Sequence, residues 1–226
     1  MLEELKKKVC TANIELFNRG VIIYTWGNVS GIDRAKNLMV IKPSGVAYEI
    51  LTPEDMVVVD VKSGETVEGN LKPSTDTPTH LELYRAFTEI GGIAHTHSTN
   101  AVAFAQAGRN IPALGTTHAD YFYGDIPCTR ELSKKEIDEG YESNTGKSIV
   151  ETIKDPQAVP GVLARNHGVF TWGKSAADAV YNAVVLEKIA EMALKTTLLN
   201  NQATISKYVL EKHYLRKHGK DAYYGQ

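Results

Sequence analysis

Six residues, Ile93-Ala94-His95-Thr96-His97-Ser98, restrict this chain more than any other stretch, because they set two imidazoles two positions apart in an apolar context. In an extended strand such residues project from the same face, about 6.5 Å apart along the chain. Both can then lean onto one metal ion at about 2.0–2.1 Å. The pattern also suits surface histidines, or histidines hydrogen-bonded inside a core. A third imidazole, His167, follows the apolar segment Val159-Pro160-Gly161-Val162-Leu163-Ala164 and precedes Gly168, which lets the backbone turn and the ring face a cleft. Three neutral imidazoles with an open fourth position are the composition of a catalytic zinc site. Closed structural sites rely on cysteines, and this chain has only Cys10 and Cys128, far apart.

The remaining totals narrow the class. A chain of 226 residues can bury a sizeable core, and no Ser/Gly/Pro-rich linker or charge block divides it, so a single domain over residues 1–226 is expected. Its 25 basic and 27 acidic residues leave no basic excess for nucleic acid, so an anionic substrate has to be met by a local site. Two cysteines are too few for a disulfide framework and read as reduced, partly buried thiols. Charges occupy Met1-Leu2-Glu3-Glu4-Leu5-Lys6-Lys7-Lys8 where a signal peptide needs an apolar core, and no apolar run is long enough to cross a membrane. A cytoplasmic protein without membrane association is the expectation.

Along the chain, Leu2, Leu5, Val9, Ala12 and Leu16 recur at helical spacing up to a stop at Gly20. Val21-Ile22-Ile23-Tyr24 reads as a strand or edge segment. Thr25-Trp26-Gly27-Asn28-Val29-Ser30-Gly31 reads as a tight turn with exposed amides. Leu38-Met39-Val40-Ile41 and Met56-Val57-Val58-Val59-Asp60-Val61 read as strands, with a turn at Ser63-Gly64. Two short loops, Lys42-Pro43-Ser44-Gly45 and Lys72-Pro73-Ser74-Thr75, share a K-P-S motif and suggest similar jobs. The second leads into Asp76-Thr77-Pro78, where Thr77 is the expected N-cap and Pro78 the first helical position. Ser74, Thr75 and their amides then lie near a helix N-terminus, which serves either to bind an anion or merely to cap the helix.

Beyond the histidine strand, residues 101–107 suit a buried helix ended by Gly108, and the run around His118 and Asp120 is loop-rich. Residues 131–148 read as a short helix and an exposed loop. Ser175-x-x-Asp178 is a capping box that opens a long helix. In the tail, Tyr214, Leu215, Tyr223 and Tyr224 argue against disorder, so residues 205–226 are expected to dock. Trp26 and Trp172 read as packing residues, and His80, His118 and His218 as structural ones or as supports behind a site, with His118 closest to a further role through its neighbour Asp120.

Taken together, Trp26-Gly27-Asn28-Val29-Ser30, Lys42-Pro43-Ser44-Gly45, Gly92-Ile93-Ala94-His95-Thr96-His97-Ser98, residues 115–124 and Asn166-His167-Gly168 resemble the class II aldolase and epimerase family from end to end. The tail, Lys212-His213-Tyr214-Leu215-Arg216-Lys217-His218-Gly219 with Ala222-Tyr223-Tyr224-Gly225-Gln226, resembles its epimerase branch. That resemblance implies a three-layer α/β/α fold around a mixed, mostly antiparallel sheet, and a C4 homotetramer with the tail at a subunit interface. It implies one zinc ion per subunit, replaceable by manganese or cobalt, on His95, His97 and His167, with Asp76 as a further ligand or acid beside it. Gly27, Asn28, Lys42, Ser44, Gly45, Ser74 and Thr75 match a substrate and phosphate site. Serine is expected where Thr75 stands, and threonine keeps the hydroxyl. Asp120 and Tyr224 match the two acid/base groups, the tyrosine arriving from a neighbouring subunit, and His213 a further active-site residue. The implied activity is epimerisation of a sugar phosphate by retro-aldol cleavage and re-addition, with sugar-phosphate aldol cleavage as the alternative.

Overall fold

The computed structural model describes residues 2–224; Met1, Gly225 and Gln226, the last two belonging to the tail motif, lie outside the described residues. In chain order the elements are α1 (Glu3–Asn18), β1 (Gly27–Asp33), β2 (Leu38–Ile41), β3 (Val57–Asp60), β4 (Thr66–Glu68), α2 (Thr77–Ala86), β5 (Gly92–Thr96), α3 (Thr99–Ala107), α4 (Thr116–Ala119), α5 (Lys134–Thr152), β6 (Gly161–Ala164), β7 (Gly168–Gly173), α6 (Ala176–Leu199) and α7 (Lys207–His218). The strands form one sheet in the order β4-β3-β2-β1-β5-β7-β6. All neighbours pair antiparallel. A parallel contact is made by an isolated bridge between Cys128 and Leu163.

Two-residue periodicity divides the sheet's side chains between two helical layers. Val40 and Val58 face α1 and α6. Met39, Ile41, Val57 and Val59 face α2 and α5 on the other side. The same alternation sends Phe170 to the second face and Val169 to a core under α3 and α6. Each such valine or isoleucine, fully buried, contributes about 1.5–3 kcal/mol relative to exposure. Three layers are therefore fixed by strand pleat. Gly31 shows how tightly: a Cβ there would lie 2.9 Å from Val9 Cγ2 of α1. Both cysteines are free, Cys10 buried and Cys128 half-buried. No helix of the described residues is long and apolar enough to cross a membrane.

Several local expectations need correction. Val21–Tyr24 forms no strand, because β1 is already flanked by β2 and β5; the segment instead turns, with Tyr24 at φ +53° and Trp26 N–H donating to Ile23 O at 3.1 Å. The supposed turn from Gly27 is itself β1, the sheet's middle strand. Residues 131–148 lie largely in the long α5, opened by a reciprocal Ser133–Glu136 cap and broken at Gly140 (φ 150°). Its polar first half faces solvent, and only Thr145, Gly146, Ser148 and Ile149 are buried, so helical periodicity is faint in the sequence. The N-cap of α2 is Asp76, one residue earlier than expected, and Thr77 Oγ1 donates to Ser74 O at 2.7 Å. Residues 168–173, not anticipated as a strand, are β7.

Candidate active site

Strand register assembles the histidines. β5 pairs with β1 so that His95 lies opposite Asn28, and with β7 so that it lies opposite Phe170. The β6–β7 turn, with Asn166 at φ +60°, therefore sits beside the end of β5 and brings His167 to His97. Gly168 makes the approach possible, since a Cβ there would lie 2.8 Å from both His95 Cε1 and Thr96 O. Gly27 does the same on the other side, at 2.5 Å from His95 O.

Ring centroids of the three histidines lie 4.8, 4.9 and 5.1 Å apart, and their ligand nitrogens all fall within 4.8 Å of one another. His95 stacks on Phe170 at 4.2 Å. Its Nδ1 donates to Val169 O at 2.9 Å, which leaves the Nε2 lone pair directed at His97 Nε2, 3.0 Å away. Asp76 Oδ2 is 3.8 Å from the same nitrogen. Tetrahedral bonds of about 2.05 Å require ligand atoms about 3.4 Å apart. Burial lowers the pKa of all three imidazoles and keeps them neutral, the protonation state a metal needs. For Asp76, burial alone would raise the carboxyl, but His95, His80, His167 and the Asn28 amide outweigh it and hold it below the usual range. His167 Nδ1 is buried without a hydrogen-bond partner. Nitrogens, carboxylate and orphaned atom together fit a single metal ion.

The two K-P-S loops pair with each other. Pro43 lies opposite Pro73, flanked by Ser44 N–H to Lys72 O at 2.9 Å and Ser74 N–H to Lys42 O at 3.0 Å. Proline can sit at this antiparallel position because it is asked to donate nothing. Ser44, Gly45 and Thr75 are exposed on the paired loops, while Ser74 is buried against Asn28. Lys42 is 1% exposed. Its ammonium donates to Pro43 O and Val46 O over the Tyr48 ring, and burial lowers its pKa to about 8. Its charge thus lies beneath the loop, not at its tip.

Thr25, Trp26, Gly27, Thr75, Asp76, His95, His97 and His167 line a cavity of about 450 Å³. Trp26, expected to pack, is 53% exposed and walls this cavity, so that reading is corrected. Trp172 does pack, at 1% exposure.

Asp120, His213 and Tyr224 are gathered elsewhere. Asp120 ends α4, and its Oδ2 accepts from Arg216 Nη2 at 2.8 Å while Oδ1 accepts from Arg216 Nε at 3.1 Å. His213 Nδ1 lies 3.0 Å from Oδ1, and His218 Nε2 lies 2.9 Å from the Asp120 carbonyl. Burial alone would raise the Asp120 carboxyl; hydrogen bonds from Arg216 and His213 outweigh it and hold it ionised. The tail thus docks on α4 of its own chain. Arg216 also stacks 4.0 Å from the Tyr224 ring. Tyr224 is 51% exposed, and none of these residues lines the histidine cavity.

Sequence reasoning missed Tyr141, whose ring lies 5.7 Å from His167, and the buried link by which Ser30 Oγ joins His80 to Tyr84. The Gly140 break before Tyr141 was the available signal for the first.

A single antiparallel sheet carrying a three-histidine cluster beside paired hydroxyl-rich loops defines the class. The chain belongs to the Class II Aldolase and Adducin N-terminal domain family, which it matches over residues 7–194. Among solved structures it is similar to an L-fuculose 1-phosphate aldolase at 24% identity, covering 93% of this chain and 94% of that one, with a TM-score of 0.79. Similarity to L-fuculose 1-phosphate aldolase from Glaciozyma antarctica is 19% in identity, over 97% and 84% of the two chains, with a TM-score of 0.80. For the L-fuculose-1-phosphate aldolase from Thermus thermophilus the values are 25%, 89% and 98%, and 0.67.

Proposed function

We propose that this protein is a zinc-dependent L-ribulose-5-phosphate 4-epimerase, interconverting L-ribulose 5-phosphate and D-xylulose 5-phosphate. The observation that carries the reading is the separate Asp120–His213–Arg216–Tyr224 cluster on the tail, because inversion by bond cleavage needs proton transfer beyond what the histidine cavity offers. A carbinol carbon without an acidic hydrogen is not inverted by simple deprotonation. Breaking C3–C4 does it: the three-carbon fragment keeps the bonding electrons as an enediolate, glycolaldehyde phosphate rotates, and the bond re-forms on its other face.

A zinc ion on His95, His97 and His167 supplies Lewis acidity for the negative charge developing on the substrate oxygens. Asp76 flanks that position. Ser44, Gly45, Ser74 and Thr75 hold the phosphate by hydroxyl and backbone N–H donors, with Lys42 beneath them and Asn28 behind, its amide on Ser74. Asp120 and Tyr224 move the C4 hydroxyl proton on opposite faces, His213 orients Asp120, and Arg216 holds both, forked onto Asp120 and stacked on the Tyr224 ring. Because Asp120, His213 and Tyr224 lie outside their own chain's cavity lining, the reading includes a C4 homotetramer with each site shared between subunits. It also includes a cytoplasmic location.

Aldol cleavage is the second reading, favoured by the aldolase names of the similar structures. One assay separates them. Metal-loaded protein is incubated with L-ribulose 5-phosphate and, in parallel, L-fuculose 1-phosphate. D-xylulose 5-phosphate without accumulated aldehyde is expected; net aldehyde release from the 1-phosphate overturns the epimerase reading in favour of the aldolase.

A further inference from the structure

Asn28 touches both halves of the chemistry that the proposed function assigns to the sheet. Its Nδ2 donates to Ser74 Oγ at 3.0 Å and to Asp76 Oδ2 at 2.8 Å. The residue is 2% exposed, and its Oδ1 is buried without a partner. An amide carries two N–H donors, and both are used here. Flipping it would aim Oδ1 at the Asp76 carboxylate, so the carboxylate itself fixes the orientation. The backbone cannot absorb a shift, because Asn28 lies opposite His95 in the β1–β5 ladder.

Occupancy of the anion loop therefore has a short route to the metal side. Ser74 Oγ lies 3.5 Å from Asp76 Oδ2, too far for a good bond, so its proton is available to an incoming anion. Once that proton is drawn to the anion, Ser74 Oγ becomes the stronger acceptor and pulls the Asn28 amide toward the loop. The amide's hold on Asp76 Oδ2 weakens, and that oxygen is released for the ion. We infer that Asn28 is a positioning residue that couples the phosphate loop to Asp76, so that a bound phosphate monoester tightens metal binding. The inference rests on the metal and phosphate sites proposed above and adds that they are linked through one side chain.

The test uses the full-length protein, cobalt(II) as the ion and methyl phosphate as the anion. Each is titrated alone by calorimetry, and cobalt(II) is then titrated again at saturating methyl phosphate. In the wild type the dissociation constant for cobalt is expected to fall about fivefold or more, with a change in the visible cobalt spectrum. In Asn28→Ala and in Ser74→Ala the change shrinks to less than about twofold, whereas Ser74→Thr, which keeps the hydroxyl, retains it. Should Asn28→Ala fail to fold, Ser74→Ala and Ser74→Thr carry the test alone. Linkage of wild-type size in Ser74→Ala or Asn28→Ala overturns the relay; direct ligation of the phosphate to the ion would produce that result. A wild type that binds cobalt and methyl phosphate independently also overturns it, and leaves the proposed sites standing. Failure to bind one of them at all overturns the site and the coupling together.

Discussion

The proposed metal half and the proposed proton-transfer half of the site are held in different ways. His95, Asn28 and the His167 turn are fixed by the registers of β1, β5, β6 and β7, around β5, every residue of which is buried. Asp120, His213 and Tyr224 depend on a four-residue helix and on α7, which has no buried residue. A sheet sets ligand positions before any ligand arrives. A surface helix pinned to one residue, Asp120, through Arg216, His213 and His218 does not, and it leaves Tyr224 half exposed.

The largest effect expected from this contrast comes from His97→Asn. His97 lies just past β5, on the cavity, so its loss removes an imidazole without opening the core. Activity should fall by at least about a thousandfold, with bound zinc lost and the far-ultraviolet circular dichroism unchanged. Full turnover in the metal-free protein would break the claim that this half is a metal site.

Tyr224→Phe probes the other half and should reduce turnover about a hundredfold while bound zinc stays at the wild-type level. Joint refolding of His97→Asn chains with Tyr224→Phe chains sharpens the test. Random assembly leaves about a quarter of the sites with an intact half from each chain, so about a quarter of the activity should return. No recovery would mean that both halves come from one chain.

The same contrast governs how much could be read from the sequence. The histidine cluster was legible because strand pleat and a glycine turn are local rules, and three imidazoles reveal their chemistry in any fold. That the two K-P-S loops pair with each other was not, since Pro43 and Pro73 lie thirty positions apart and only the sheet brings them together. The burial of Lys42 depends on the loop's own carbonyls closing over it, which no spacing reveals. Arg216 is one of several cations in the tail sequence. Its fork onto Asp120 became visible only with α7 laid on α4. Val21–Tyr24 misled for a related reason: its composition suits a strand, but both flanks of β1 are occupied.

The smallest expected effect separates the halves by pH. Burial puts the Lys42 ammonium near pKa 8, whereas Asp120 is already ionised well below neutrality. Raising the pH through about 8 should therefore discharge the anion loop first, weakening methyl phosphate binding by about tenfold. Stability moves the opposite way. The unfolded chain keeps this lysine protonated to about pH 10.4, so between about 8 and 10 it binds more protons than the folded chain, and unfolding free energy rises with pH across that window. Lys42→Met should abolish the pH step in phosphate affinity while zinc content remains unchanged. A step of undiminished size in Lys42→Met would assign the titration to another group and detach Lys42 from the phosphate loop.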